Sequence, residues 1–578
     1  MKHTRILGSL VACFWIIDVL HSQQTSVELV DNSGQDQIMA IMKHVKHDII
    51  PGCQASISYA QVANIDDLNI DAVADWFGCK TLMGKAFLAE SLRNPVSGKD
   101  ETGIVQLRHE YVMELVNNPE YKQEVEELLS YACKHEATVI ELMSQTFKNQ
   151  HCPQLATLAQ LKKNEDLFYH LVNFVETNSY FKTYDYLSTA CMIPVLWAGT
   201  GMFTYAACNE QIRMHLGDPT VPECLGQSVY AGLLSALTTY QWYNSLVKVG
   251  IKRPKIHALH QLVSLAESLE EVSGAYGLAT QFKMSLITDA QALGMIQELK
   301  SSWYAKESNY FINPGAVHTF LYRIYENDAA LAQVFASIAE IDAYNAIANQ
   351  ILAGKESSRS FCIAHKIQDN KPQVNSQLFW NVLVPYAVTN SIVQDRNIII
   401  TGPNAGGKTT AIRAILQNIV LAQTYGIAAA QEFSFTEFDV ILSYLHISDD
   451  LLHGYSLFAS EIKRAQELLE IIQTLNPDQK LFFALDELFT GTVAEQGEQC
   501  AYNFIKKTST FDQVLSIYAT HFKALKDLGD TDARMMNYKV DAPVKNDAGK
   551  LVYPYTLSPG ASNVCIALDM AREANLFE

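Results

Sequence analysis

The sequence predicts two unlike parts: a mainly helical N-terminal two-thirds, then, from about residue 361, an α/β domain. Three observations predict this. Apolar residues recur at helical spacing through most of the chain up to Leu352. The polar segment Gly354-Lys355-Glu356-Ser357-Ser358-Arg359-Ser360 breaks that pattern, and beyond it short β-rich runs alternate with helical stretches. Finally, the octapeptide Gly402-Pro403-Asn404-Ala405-Gly406-Gly407-Lys408-Thr409 sits between the apolar run Ile398-Ile399-Ile400 and a helical pattern.

At 578 residues the chain is too long for one core. The spacing divides it into residues 1–25, a helical region 26–255, a second helical region 256–360 and the α/β region 361–578. Hydrophobic residues make up 48% and charged residues 18%, which excludes a disordered chain. A net charge of −19 excludes a surface uniformly coated in Lys and Arg, so any nucleic-acid contact needs a local basic face. The 11 cysteines include no C-x-x-C pair and read as small buried hydrophobes, not zinc ligands.

At the amino terminus, Lys2, His3 and Arg5 precede the apolar run Ile6 to Ile17, and His21-Ser22-Gln23-Gln24 follow. This resembles a secretory signal or short anchor, although Asp18 interrupts the stretch; a buried N-terminal helix is the other reading. Residues 26 to about 180 read as amphipathic helices. In Glu124 to Met143, Val125, Leu128, Leu129, Ala132, Val139 and Leu142 form a stripe that Glu136 interrupts. Segments 186–209 and 224–247 carry no charged residue, and each is long enough to cross a bilayer, about 20 residues. Lys248, Lys252, Arg253 and Lys255 would place the end of the second in the cytoplasm. Pro194, Gly199, Gly201, Gln227, Gln241 and Asn244 favour a pair of buried helices instead. A membrane hairpin keeps both flanks cytoplasmic, whereas the N-terminal run as a third span would put the last domain outside; all three cannot be spans. Leu321 to Ile351 is the clearest helix of the second region.

In the last third the octapeptide fits G-x-x-x-x-G-K-[ST] in the strand–loop–helix context that this motif requires. Glycines let successive backbone N–H groups close around phosphate oxygens, because no Cβ obstructs the turn. The following helix, roughly Thr409 to Gln423, points its positive end at the same anion. Lys408 is placed to reach the β- and γ-phosphates, and the Thr409 hydroxyl to ligate Mg²⁺. Leu481-Phe482-Phe483-Ala484-Leu485-Asp486-Glu487 is an apolar strand ending in two acids. Asp486 can hold Mg²⁺, and Glu487 can orient or deprotonate the attacking water. Gly454-Tyr455-Ser456 opens a further helical pattern, either as an ordinary cap or as a phosphate contact. Ile517-Tyr518-Ala519-Thr520-His521 is a strand whose terminal His can sense the γ-phosphate or polarise the water. Catalysis is therefore assigned to Lys408, Glu487 and His521, and phosphate binding to Gly402 through Thr410.

These motifs in this order resemble the ATPase domain of MutS-type DNA mismatch repair proteins. Thr401 to Thr410 is similar to T-G-P-N-x-G-G-K-[ST], and Asp449 to Glu461 to the signature loop D-D-L-x-x-G-x-S-x-F-x-x-E. Asp486-Glu487 with Gly491-Thr492 resembles D-E-x-x-x-G-T, and Ala519-Thr520-His521-Phe522 resembles A-T-H-[YF]. Gly560-Ala561-Ser562 is similar to a G-x-S segment near the end of the family's ATPase domain, and Phe335 to Ala348 to the end of its helical lever. The resemblance implies an ABC-type head that binds ATP and Mg²⁺ through Thr409 and Asp486 and forms a homodimer around nucleotide. Gly454 and Ser456 would reach the nucleotide of the partner subunit, and hydrolysis would move the levers on DNA. An alternative is a membrane-anchored ATPase that drives a protein or membrane partner with the same engine. The family's mismatch reader carries F-x-E, and the match Phe435-Thr436-Glu437 falls inside the ATPase domain, where it reads as chance. Asp486 to Gly491 also lacks the family's basic residue before that glycine.

Overall fold

The computed structural model describes residues 58–98, 102–150, 254–278, 289–300, 328–355, 359–403, 405–445, 457–547 and 550–564, with single positions at 229, 287 and 324. The segments 6–17 and 186–209 lie outside the described residues, as does 224–247 apart from Val229. Among the described residues no helix is long and apolar enough to cross a membrane.

Helices dominate the first part. They are α1 (Ile70–Phe77), α2 (Leu82–Arg93), α3 (Ile104–Asn117), α4 (Pro119–Gln150), α5 (residues 254–275), α6 (Ala290–Lys300) and α7 (Asp328–Gly354). α7 has no amphipathic stripe because it is wrapped on all sides: Leu331, Val334, Ile338, Ile341, Ile347 and even Glu340 and Asp342 are buried. It packs chiefly against α2 and α3.

The second part holds a seven-stranded sheet in the order β1 (Gln61–Ala63), β8 (Val440–Tyr444), β9 (Leu481–Asp486), β10 (Val514–Ala519), β5 (Asn397–Thr401), β11 (Met535–Val540), β14 (Leu557–Pro559). All neighbours are parallel except β11 with β14. Strands β5, β8 and β10 are buried at every residue, as a parallel sheet covered on both faces requires. The covering helices are α8 (Lys408–Tyr425), α9 (Leu457–Thr474), α10 (Ala494–Thr508) and α11 (Lys523–Thr531). A five-stranded sheet has the order β4 (Asn390–Gln394), β3 (Val374–Phe379), β7 (Glu432–Phe435), β2 (Cys362–Lys366), β6 (Ile427–Ala428). A small hairpin pairs β12 (Val544–Lys545) with β13 (Leu551–Val552). Helices precede mixed α/β sheets, in line with the sequence.

The helical pattern predicted over residues 26 to about 180 is interrupted: Gln61–Ala63 forms the edge strand of the large sheet, in register Gln61 to Val440. Three residues are too few to show a period, and β8 supplies the template. Flanking contacts fix this strand. Asn64 Nδ2 donates to Ser443 O at 2.8 Å, Ser443 Oγ to Asp67 Oδ2 at 2.9 Å, and Arg413 Nε to Asp67 O at 2.7 Å. One apolar cluster runs from α1–α4 through α7 into α8. Inside it Arg108 is almost wholly buried, donates to Thr424 O at 3.3 Å and stands 5.6 Å over the Tyr425 ring. The end of α8 is thereby tied to α3.

Glu136 has a structural purpose. Its Oε2 accepts from Leu82 N at 2.9 Å and its Oε1 from Met83 N at 2.7 Å. Asp342 accepts from Lys80 N at 3.0 Å and from both Thr81 N and Thr81 Oγ1 at 2.7 Å, while Thr81 Oγ1 accepts from Gly84 N at 2.8 Å. The unpaired N–H groups at the start of α2 are thus met by carboxylates from α4 and α7, where the helix dipole favours negative charge. Gly84 packs so closely here that a Cβ would lie 2.2 Å from Asp342 Oδ2. Gly84→Ala is expected to destabilise the protein by about 1–3 kcal/mol through overpacking, read as a lower melting temperature.

Candidate functional site: a phosphate cradle with paired acids

The cradle is built by the turn between β5 and α8. Gly402 has φ +153°, and a Cβ there would sit 2.9 Å from the Val540 Cβ; at Gly406 it would sit 2.9 Å from Pro403 O. Gly407 has φ +95° and caps α8 without any side-chain hydrogen bond, so the helix opens toward the cradle with its own N–H groups. Lys408, the first residue of α8, is buried and donates to Gly402 O at 3.1 Å. Burial pushes its pKa below the ordinary lysine value, against the pull of Glu487 and Asp486.

The acids arrive on β9, two strands from β5 with β10 between. Thr409 Oγ1 donates to Asp486 Oδ2. Asp486 Oδ1 is buried with no hydrogen-bond partner among the described residues, and burial raises this carboxyl above its usual range. Glu487 follows with φ +53°, its N–H donating to Ala519 O at 3.0 Å on β10. His521, just past β10, brings Nε2 to 2.8 Å from Glu487 Oε1 and 3.1 Å from Lys408 Nζ. The His521 hydrogen bond holds the Glu487 carboxyl below its ordinary value, although burial opposes this. Glu487 is therefore ionised at neutral pH, as a base must be.

Gly407, Lys408, Thr409, Asp486 and Glu487 line a cavity of ≈ 660 Å³, with Pro403, Ala405, Thr410, Leu457, Glu461 and Tyr555 also on its walls. A second pocket of ≈ 240 Å³ adjoins it across Gly407 and Thr410, walled by Trp380, Pro385, Tyr386, Asn390 and Tyr555.

Residues 398–578 match the family model of MutS domain V. The DNA mismatch repair protein MutS of Streptococcus agalactiae is 28% identical over 192 residues, 33% of this chain and 22% of that protein. MutS of Fusobacterium nucleatum is 30% identical over 189 residues, 32% of this chain and 20% of that protein. The DNA mismatch repair protein MSH2 of Zea mays is 29% identical over 189 residues, 31% of this chain and 20% of that protein. The carboxy-terminal domain belongs to the MutS family. The chain spans about a fifth of the length of the curated relatives it matches.

In this MutS domain V the structure brings Gly402, Pro403, Ala405, Gly406, Gly407, Lys408, Thr409, Thr410, Asp486, Glu487 and His521 to one place. Asn404, Gly454 and Ser456 lie outside the described residues. Phe435 is buried in β7 and Thr436 is fully buried, bonded to Gln373, so Phe435-Thr436-Glu437 cannot offer a ring to a base. Sequence reasoning missed Tyr555, which has φ +55° and packs against Gly407, and Asn390, which accepts from Leu557 N at 2.6 Å and donates to Tyr555 O at 3.1 Å. Their separation in sequence left no local signal. It also left the final acid of the signature loop, Glu461, without a role.

The Gly560-Ala561-Ser562 segment is anchored to the cradle's strand. Ser562 N donates to Thr401 Oγ1 at 2.7 Å, and Ser562 O accepts from Lys526 Nζ at 2.5 Å.

Proposed function

We propose that this chain is a Mg²⁺-dependent ATPase of MutS type that works on DNA as a homodimer of its α/β domains. The observation that carries the reading is the buried, unpartnered Asp486 Oδ1 beside the Thr409 hydroxyl at the mouth of α8. An orphaned carboxylate oxygen next to a hydroxyl is a fitting pair of hard ligands for Mg²⁺. When bound, that ion supplies positive charge to the β- and γ-phosphates.

The chain's own residues supply the rest. Backbone N–H groups from Gly402 to Thr410 and the start of α8 take the phosphate oxygens, and Lys408 turns from Gly402 O to the transferred group. Glu487 orients the attacking water and receives its proton. His521, bonded to Glu487, reports whether the γ-phosphate is present. The pocket walled by Tyr386, Asn390 and Tyr555 takes the base. Gly454 and Ser456 complete the site of the partner subunit, and α7 carries the change to the helical region. The DNA half of the proposal draws on relatives named as DNA mismatch repair proteins. The Phe435 geometry supports no mismatch reader within this domain.

Titration of purified protein with a fluorescent ATP analogue at millimolar Mg²⁺ tests the nucleotide half. Lys408→Ala is expected to weaken affinity about 10–100-fold, the loss of one charge-assisted contact. A wild-type protein without ATP affinity would end the reading. Turnover measured with duplex DNA across a salt series tests the other half: binding that weakens steeply with salt is expected. No DNA affinity at low salt would remove that half alone.

A further inference from the structure

Glu461 lies on α9, where that helix meets both the phosphate cavity and the loop that follows β9. Its side chain is buried. One oxygen accepts from Thr490 N at 3.0 Å and lies 3.4 Å from Thr490 Oγ1; the other accepts from Gly491 N at 3.2 Å. Two adjacent backbone donors converging on one point need an acceptor with two oxygens, which a carboxylate provides.

Three further observations show that the loop is held in a restrained shape. Glu487 and Phe489 both have φ in the left-handed region, +53° and +65°, which side chains other than glycine adopt only under restraint. Gly491 fits so tightly against α9 that a Cβ would lie 2.8 Å from Phe458 N and 3.0 Å from Leu457 Cγ. Phe489 is wedged between the Phe458 ring at 6.3 Å and the Phe504 ring at 6.1 Å, both edge-on. The loop is thus packed against both α9 and α10. A carboxylate on the cavity wall repels triphosphate, so Glu461 is not there to bind the nucleotide.

We propose that Glu461 is a positioning residue for hydrolysis: it pins residues 487–491 to α9 so that Glu487 faces the water. This rests on the reading of Glu487 as the group that activates that water. It also makes α9, which begins directly after Ser456 in sequence, the element that sets the catalytic loop.

The test uses the full-length chain and separates binding from turnover. Glu461→Ala is expected to lower kcat about 100-fold, the usual cost of a misplacement near 1 Å, while affinity for ATP–Mg²⁺ stays within about threefold. Glu461→Gln, whose carbonyl can still accept from one of the two N–H groups, is expected to recover part of the lost kcat, staying severalfold below wild type, at unchanged affinity. A kcat for Glu461→Ala within threefold of wild type overturns the proposal, as does a loss of ATP affinity that matches the loss of kcat. Should Glu461→Ala not fold, Glu461→Gln decides alone: a kcat reduced severalfold at unchanged affinity supports the role, and a wild-type kcat overturns it. Wild-type ATP affinity and an inactive Glu487→Gln, measured alongside, show whether the underlying reading stands when the Glu461 result fails.

Discussion

Glu487→Gln is expected to lower ATP turnover by about 10²–10⁴-fold, the range for loss of a positioned base, while leaving ATP–Mg²⁺ affinity within a few fold of wild type. The physical reason is the division of labour in the cradle. In the proposed function phosphate is held by backbone N–H groups, Lys408 and the start of α8, none of which needs the Glu487 charge. Glu487 instead accepts from His521 Nε2 at 2.8 Å, and that bond keeps its carboxyl below the ordinary range and so ionised. The amide of Gln keeps the shape and loses the basicity. Single-turnover measurements with bound nucleotide check this: a chemical step at the wild-type rate would remove Glu487 from its role. Equal losses in affinity and turnover would instead make it a binding residue.

The second large effect is structural. Asp342→Ala is expected to destabilise the protein by about 3–5 kcal/mol, since the buried Thr81 N–H and hydroxyl and the half-buried Lys80 N–H lose their acceptor at once. Calorimetry should show the lower melting temperature, and amide exchange should show the opening concentrated in α2. A melting temperature within one or two degrees of wild type would mean that another acceptor serves these donors. The pH dependence runs against the usual carboxylate pattern. Burial holds the Asp342 carboxyl above its ordinary value, and does the same for Glu136, with Asp342's charge adding to the rise there. The folded chain then binds these protons more tightly than the unfolded chain does. Each group's contribution is greatest below the ordinary carboxylate range and declines as pH rises through that range toward the raised value. The stability gap between wild type and Asp342→Asn should therefore be wider at pH 4 than at pH 7. A gap that widens as pH rises would show that hydrogen bonding outweighs desolvation at this site.

The residues that converge between β5, α8 and the end of β9 could be picked out from the chain because their pattern is local. Gly402 through Thr409 must be consecutive for backbone N–H groups to converge, and Asp486-Glu487 must end an apolar strand to arrive beside them. Elements without such local constraint stayed hidden. Glu136 read as a flaw in an apolar stripe, yet it caps α2. The strand Gln61–Ala63 is too short to show a period and forms only because β8 offers an edge. Tyr555, Asn390 and Glu461 reach the site through long-range folding.

The amino-acid sequence alone determined the helical-then-α/β order, the glycine-rich turn before α8 and the paired acids after β9, because each depends on neighbours a few positions away and on hydrophobic period. Only the tertiary structure decided how these parts act on one another: that Glu461 of α9 accepts from the loop after β9, that α3 grips the end of α8 through Arg108, and that the buried acids of α4 and α7 serve one helix start. Those pairings are set by which surfaces exclude water together, and burial of that kind is a property of the packed chain rather than of any segment within it.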